Sequence, residues 1–246
     1  MIKKALIFIL CSTSFFSCNK TDNKNIEYLY IDNGEKYKTF EHHQNGDITV
    51  EYFLKDGTKE AQGYKIGDIE TITFFDSEGR IYQEGQFKNG KKMGWHTFYD
   101  EKGKTMNEIF FVDDKVNQGK TYNKNDDSID IENSLYVEFH MPIDTLPQNE
   151  EVPAYLKYIN GKSKYEFIRV YLNLNNEVKS DFSNIYNVAV DTFGAEPKEQ
   201  DIYFLVKFPN KGKNYIRGYL VDAVSDSVSD QSKGINIFFE HEVYVK

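Results

Sequence analysis

One pattern constrains this chain more than any other: five times in succession, an aromatic residue is followed four positions later by a turn residue. It occurs at Tyr30 to Gly34, Phe53 to Gly57, Phe75 to Gly79 and Tyr99 to Gly103, and more weakly at Tyr122 to Asp126. The aromatic residues stand 23, 22, 24 and 23 positions apart. A second turn falls between each pair, at Asn45-Gly46, Ile66-Gly67, Asn89-Gly90 and Asp113-Asp114. Asn-Gly and Asp-Gly pairs tolerate the positive φ angles of hairpin turns, and the runs between them are aromatic and β-branched. Each unit therefore reads as a hairpin of two short strands. One such hairpin cannot bury its aromatic face alone, so stacked neighbours have to cover it, giving an elongated, twisted sheet with capped ends.

Composition supports the same conclusion. The chain holds 18 Tyr and 19 Phe, 15% aromatic residues in all, and only five Pro. Tyr and Phe pack well on a pleated surface, whereas helices would show apolar residues at a 3.6-residue period. No segment beyond the N-terminus carries such a stripe, and the expected fold class is all-β.

The run Gly85-Gln86-Phe87-Lys88-Asn89-Gly90-Lys91-Lys92-Met93-Gly94-Trp95-His96-Thr97-Phe98-Tyr99-Asp100-Glu101-Lys102-Gly103 closely resembles a bacterial variant of the MORN repeat. Gly63-Tyr64-Lys65-Ile66-Gly67 and Phe74-Phe75-Asp76-Ser77-Glu78-Gly79 keep the outline, but Gly94-Trp95 has no counterpart there. The resemblance covers roughly residues 28 to 125. It implies a non-enzymatic interaction scaffold; some family members are labelled antitoxins, a weak hint for a chain directed out of the cytoplasm.

Residues Asn123 to Asn133 are dense in Asn, Asp and Lys and read as a boundary, beyond which the repeat stops. Runs suited to strands follow at Leu135 to His140, Ala154 to Ile159, Phe167 to Leu174, Ile185 to Val190, Ile202 to Phe208, Tyr215 to Val224 and Ile235 to Val245. Seven strands with turn-rich connections suit a β-sandwich, and Asn210 to Tyr219 followed by a terminal strand resembles the last hairpin of an immunoglobulin-like domain. The Cys and Trp hallmarks of antibody domains are absent. A single sheet extended through the whole chain is the rival, but the aromatic-to-glycine period fails after Asp126. Repeats at 27–125 and an immunoglobulin-like sandwich at 134–246 are the expected domains.

The N-terminus has the layout of a signal peptide, with Lys3 and Lys4 before the apolar stretch Ala5 to Leu10 and the less regular Cys11 to Phe16. The apolar run is broken by Ser12, Thr13 and Ser14, and falls short of the roughly 18 residues a membrane span needs. Phe15-Phe16-Ser17-Cys18 resembles the lipobox of bacterial lipoproteins, with Phe15 in place of the usual aliphatic residue. The resemblance implies a signal peptide at 1–17, diacylglycerol on Cys18 and a flexible tether at 18–26. Bulky Leu10 makes Cys11 a poor alternative. The mature chain would carry no other cysteine and form no internal disulfide, which about 229 residues can do without. Losing Lys3 and Lys4 leaves 28 basic residues against 39 acidic ones and moves the formal charge from −9 to −11. That balance suits solubility and disfavours nucleic acid or anionic lipid as partners.

Catalytic candidates are sparse. His42-His43 stand side by side near a turn, pointing to opposite faces. Glu240-His241-Glu242 divides between the two faces of the last strand, which fits simple alternation better than a metal site. Asp222, Asp226 and Asp230 recur every four residues, but Ser225 to Gly234 reads as a solvated loop rather than a calcium site. No nucleophile elbow, phosphate loop, paired-cysteine metal motif or dinucleotide fingerprint occurs. Paired carboxylates for glycoside hydrolysis leave no mark in sequence spacing.

The remaining candidate is the aromatic surface of the repeats. Trp95, Thr97 and Tyr99 alternate along one strand and share a face, with His96 and Phe98 opposite. If the sheet is a single layer, one of these faces meets solvent and offers aromatic rings to a partner; if both faces are covered, the rings are packing. The expected function is a lipid-anchored, non-enzymatic interaction module for an envelope protein or glycan, needing no cofactor or metal. A glycan-processing enzyme with dispersed carboxylates and a structural spacer are the alternatives. Asn19, where enteric inner-membrane sorting favours Asp, leans towards the outer membrane and leaves the membrane face open.

Overall fold

The computed structural model describes residues 25–30, 36–143, 145–160, 167–195, 201–223 and 234–246. The signal peptide at 1–17, Cys18 and all but the end of the tether lie outside the described residues, as do Gly34, Asp226 and Asp230. The described chain is all-β, with two short 3-10 turns and no α-helix. It divides into two compact units: one comprises residues up to Lys91 with Thr97–Lys104, the other Lys92–His96 with Thr105–Lys246.

In the first unit, β1 (Asn25–Tyr30), β2 (Lys36–His42), β3 (Ile48–Phe53), β4 (Lys59–Ile66), β5 (Ile69–Phe75) and β6 (Ile81–Lys88) pair in chain order, each antiparallel to the last. Two kinds of turn make this possible. At His43–Asp47, Leu54–Thr58, Asp76–Arg80 and Asp100–Lys104, the first N–H donates to the fifth carbonyl at 2.8–2.9 Å, and the glycine N–H donates back to the first carbonyl at 2.9–3.0 Å. Gly46, Gly57, Gly79 and Gly103 adopt φ of 90, 87, 79 and 78° there, the left-handed residue that closes a three-residue hairpin loop. The repeat's aromatic residue stands just before two of these loops, where the register shifts at Tyr52/Phe53 and Phe74/Phe75; it also shifts at Leu29/Tyr30. The other kind is a two-residue turn, with Gly67 (φ 61°) between β4 and β5, and Asn89-Gly90 (53 and 78°) after β6. Asn45-Gly46 belongs to the first kind.

Register sorts the side chains into two faces. Phe40, Val50, Gly63, Ile72 and Gly85 are successive cross-strand partners, and Lys38, Tyr52, Ala61, Phe74 and Gln83 form the row beside them. Val50, Ala61, Ile72 and Gln83 are buried. Gly63 leaves room that Glu70 fills, and Tyr52 Oη donates to Glu70 Oε1 at 2.6 Å. Lys38 Nζ lies 4.2 Å from the Tyr52 ring centre and 4.9 Å from that of Phe40, and burial holds its pKa below the usual lysine value against the pull of Glu70. Thr39, Glu51, Gln62, Thr73 and Glu84 form a row on the opposite face, tied by Thr39–Glu51 and Thr73–Glu84 hydrogen bonds.

β7 (Lys91–Tyr99) is divided between the units, with Lys92–His96 in the second and Lys91 and Thr97–Tyr99 in the first. In the second unit, β8 (Thr105–Val112), β9 (Lys115–Thr121), β10 (Leu135–His140), β12 (Val152–Asn160) and β15 (Asp201–Val206) are antiparallel neighbours in that order. The polar segment 123–133 forms a turn and a 3-10 turn at Ile131–Asn133, and β10 pairs with β9 beyond it. A second sheet has the order β11 (Thr145–Leu146), β17 (Ile235–Val245), β16 (Gly212–Ala223), β13 (Phe167–Asn173) and β14 (Asp191–Ala195).

Alternate residues of β12 and β15, among them Leu156 and Val206, pack against Val170, Leu172, Ile216, Leu220, Ile237 and Phe239 in one core between the sheets. Gly218 is required at this contact, since a Cβ would stand 2.2 Å from the Tyr171 carbonyl oxygen. One expected strand needs correction. Ile185 to Val190 is a 3-10 turn at Ile185–Asn187, with the strand starting only at Asp191. Ile185 is buried against Phe110, Val178 and Phe182, so its apolar character serves a turn that plugs a second cluster.

Candidate interaction surface

Trp95 belongs to the second unit, while Thr97 and Tyr99 belong to the first. Gly94 adopts a positive φ of 65° just before Trp95, a local break in plain strand geometry. Tyr99 Oη donates to Glu84 Oε2 at 2.8 Å, and both Tyr99 and Thr97 are half-buried. Trp95 is 38% exposed. Its ring meets Phe110 edge-on at 5.4 Å, and Lys120 Nζ stands 4.9 Å from the ring centre.

That lysine is itself placed by the hairpin of β8 and β9. Glu108 and Lys120 are cross-strand partners, with Lys120 Nζ 3.2 Å from Glu108 Oε2. Tyr122 Oη donates to the same carboxylate oxygen at 2.9 Å, and burial together with this bond pushes the phenol pKa up to about 12. Lys120 Nζ also lies 5.3 Å from the Tyr136 ring. The result is an indole with part of its surface in solvent, orientated by an aromatic edge and a cation. Such a ring can bury apolar area against a partner at little conformational cost.

The other sequence candidates are occupied locally. His43 Nε2 meets Thr49 Oγ1 at 2.8 Å, while His42 lies 3.7 Å from Glu27. Glu240 pairs with Arg217, whose Nη1 donates to the Val178 carbonyl at 2.7 Å, and Glu242 pairs with Lys213 at 2.7 Å. His241 instead stacks on Phe139 at 4.5 Å. Asp222 is buried and accepts hydrogen bonds from Tyr158 and, at 3.3 Å, Asn160. No group of three or more metal-ligating side chains forms among the described residues.

Sequence reasoning missed a second aromatic feature. His140, Tyr155 and Tyr203 are cross-strand partners on the solvent side of β10, β12 and β15, with ring centres 4.6 and 5.3 Å apart. They border a shallow hollow of about 370 Å³ floored by Met141, Pro142, Pro153 and Ala154. A signal was available: Ile202-Tyr203-Phe204-Leu205-Val206 is apolar at every position, more than one buried face needs. A cleft of about 460 Å³ lies beside Leu205 and Lys207, lined also by Leu172, Leu174 and Val190 and by the carboxylates Glu151 and Asp191.

No family model matches the chain, and no curated protein matches it. Solved structures with local likeness include S. aureus TarM in complex with fondaparinux, alpha-GlcNAc-glycerol and UDP, at 17% identity over 33% of this chain and TM-score 0.28. The matched stretch spans 16% of that chain. Superoxide reductase (neelaredoxin) from Ignicoccus hospitalis matches at 13% identity over 45% of this chain and 80% of its own, with TM-score 0.27. Escherichia coli alpha-2-macroglobulin activated by porcine elastase matches at 10% identity over 85% of this chain and 26% of its own, with TM-score 0.29. At these scores none of the three bears on function.

Proposed function

We propose that the chain is a lipid-anchored, non-enzymatic interaction module of the cell envelope, with MORN-like repeats, that recognises an envelope protein or glycan. The observation that supports this most is Trp95, part-exposed yet held by Phe110 and the Glu108-paired Lys120. Orienting a large ring in advance lowers the entropy lost on binding. Lipid on Cys18 would confine the module to the membrane surface and raise its local concentration near other envelope components.

Two measurements test the two halves of the proposal. Cys18→Ser should abolish fatty-acid labelling and leave an uncleaved precursor; normal labelling refutes the anchor. In-cell cross-linking of the lipidated chain should capture a partner that Trp95→Ala loses while its circular dichroism stays native. Unchanged capture, or a Trp95→Ala chain that unfolds while Trp95→Phe binds normally, assigns Trp95 to packing and refutes the recognition role.

The envelope enzyme reading has one observation in its favour: Glu151 and Asp191 line the same cleft. It predicts glycan cleavage that both Glu151→Gln and Asp191→Asn abolish.

A further inference from the structure

We propose that the ring ladder of His140, Tyr155 and Tyr203, with the hollow beside it, is a second binding site, and that it takes a proline-rich segment of a partner protein in the polyproline II conformation, with a basic residue at one end. The three rings lie on the solvent side of β10, β12 and β15, because their strand neighbours Phe139, Leu156, Ile202 and Phe204 face the core. Tyr203 is 70% exposed, and Pro153 on the floor of the hollow is exposed as well. The volume of about 370 Å³ lies within the roughly 300–1,000 Å³ of ligand sites.

The chemistry of the lining selects the occupant. Met141, Pro142, Pro153 and Ala154 offer apolar surface and no charge. His140 and Tyr155 stack at 10° with centres 4.6 Å apart, so their faces are turned to each other and ring edges, which carry partial positive charge, are left for a ligand. The hydroxyls of Tyr155 and Tyr203 have no hydrogen-bond partner among the described residues and are free to donate. An apolar floor, positive edges and spare donors suit a ligand rich in acceptors and poor in donors. A proline-rich segment is such a ligand: each proline brings a carbonyl and no N–H, and polyproline II leaves those carbonyls without internal partners. A sugar, by contrast, brings a donor with every hydroxyl and stacks on ring faces. The ladder spans two strand spacings, about 10 Å, which matches about three residues of polyproline II at about 3.1 Å each. Two positions further along the same strands, Glu138, Lys157 and Asp201 form a row on the same face, about 7 Å from the rings. That row carries one net negative charge and ends at Asp201 on the Tyr203 side, which attracts a basic residue beside the prolines. The site goes beyond the recognition reading built on Trp95 and does not depend on it.

Isothermal titration calorimetry of the full lipidated chain in detergent micelles tests the site, with a synthetic peptide of one arginine followed by a run of prolines. Binding should saturate at one peptide per chain. Tyr203→Ala, at a largely exposed position, should weaken it about tenfold or more while circular dichroism stays native. Tyr155→Phe, which keeps the ring and removes the donor, should weaken it about threefold or more. Tyr244→Ala removes another exposed tyrosine, on β17, and should leave the constant unchanged. A peptide with Gly-Ser repeats in place of the prolines should not bind, and glutamate in place of the arginine should weaken binding. Absence of saturable binding, equal binding of either altered peptide, or an unchanged constant in Tyr203→Ala overturns the proposal. So does a loss in Tyr244→Ala as large as in Tyr203→Ala, or a neutral tetrasaccharide that binds through Tyr203 where the proline peptide does not.

Discussion

Gln118 holds the second unit together at a point where strand pairing stops. Only 2% exposed, it donates from Nε2 to the Phe238 carbonyl at 2.6 Å and accepts from the Val137 N–H at 2.8 Å. Asn117 beside it donates to the Asn236 carbonyl at 2.8 Å and accepts from the Phe238 N–H at 2.7 Å. Two side-chain amides thus cap a flank of β17, which β11 pairs only at Tyr244 and Val245. Gln118→Leu keeps the volume and removes both bonds, leaving a carbonyl and an N–H shielded from water. Each orphaned buried group costs about 1–3 kcal/mol. Added leucine burial returns about 1 kcal/mol, for a net loss of roughly 1–5 kcal/mol. Urea unfolding followed through Trp95, the sole tryptophan and part of the same unit, reads this directly. The midpoint should fall by about 0.5–2.5 M, with a slope near 2 kcal/mol/M for a unit of this size. Gln118→Glu should be no better, since its carboxylate would face the Phe238 carbonyl. A Gln118→Leu midpoint within about 0.2 M of the unaltered chain would refute the capping argument.

Two glycines should respond differently to alanine. Gly218→Ala presses a methyl against the fixed Tyr171 carbonyl and should cost about 4 kcal/mol or more in a thermal melt. Gly63→Ala meets the Glu70 carboxylate at 2.8 Å, which can swing aside at the loss of its Tyr52 bond, for about 1–2 kcal/mol. Tyr122 and Tyr219 both have pKa values raised to about 12, chiefly by burial. A folded-state pKa above the unfolded value stabilises the fold below pH 10 and is lost as pH rises from 10 through 12, so phenolate absorbance should appear late and coincide with a falling melting temperature. Early, complete titration of every tyrosine in the folded chain would contradict this.

Short-range chemistry was legible from the sequence because it depends on neighbours in the chain. Gly57, Gly79 and Gly103 closed hairpins where the spacing placed them, since only a residue at ease with positive φ completes a three-residue loop. Leu135–His140 and Ile235–Val245 emerged with the expected bounds, because uninterrupted apolar and β-branched runs have few alternatives. Ile185 misled for the converse reason. Its apolar side chain plugs a cluster from a turn, and local pattern does not distinguish a strand from a plug.

Tertiary structure alone decided which rings meet which charges. Lys120 reaches Trp95 because β8 and β9 set it opposite Glu108, and His140, Tyr155 and Tyr203 stack because three distant strands agree in register. A one-residue slip in any of those pairings would send the side chains to the other face. Thus the sequence by itself determined an all-β chain of hairpins, through turn residues acting over four positions. The placement of Trp95 and the ring ladder across β10, β12 and β15 arose from pairings between segments far apart in the chain, where the sum of many contacts, rather than any local preference, selects the register.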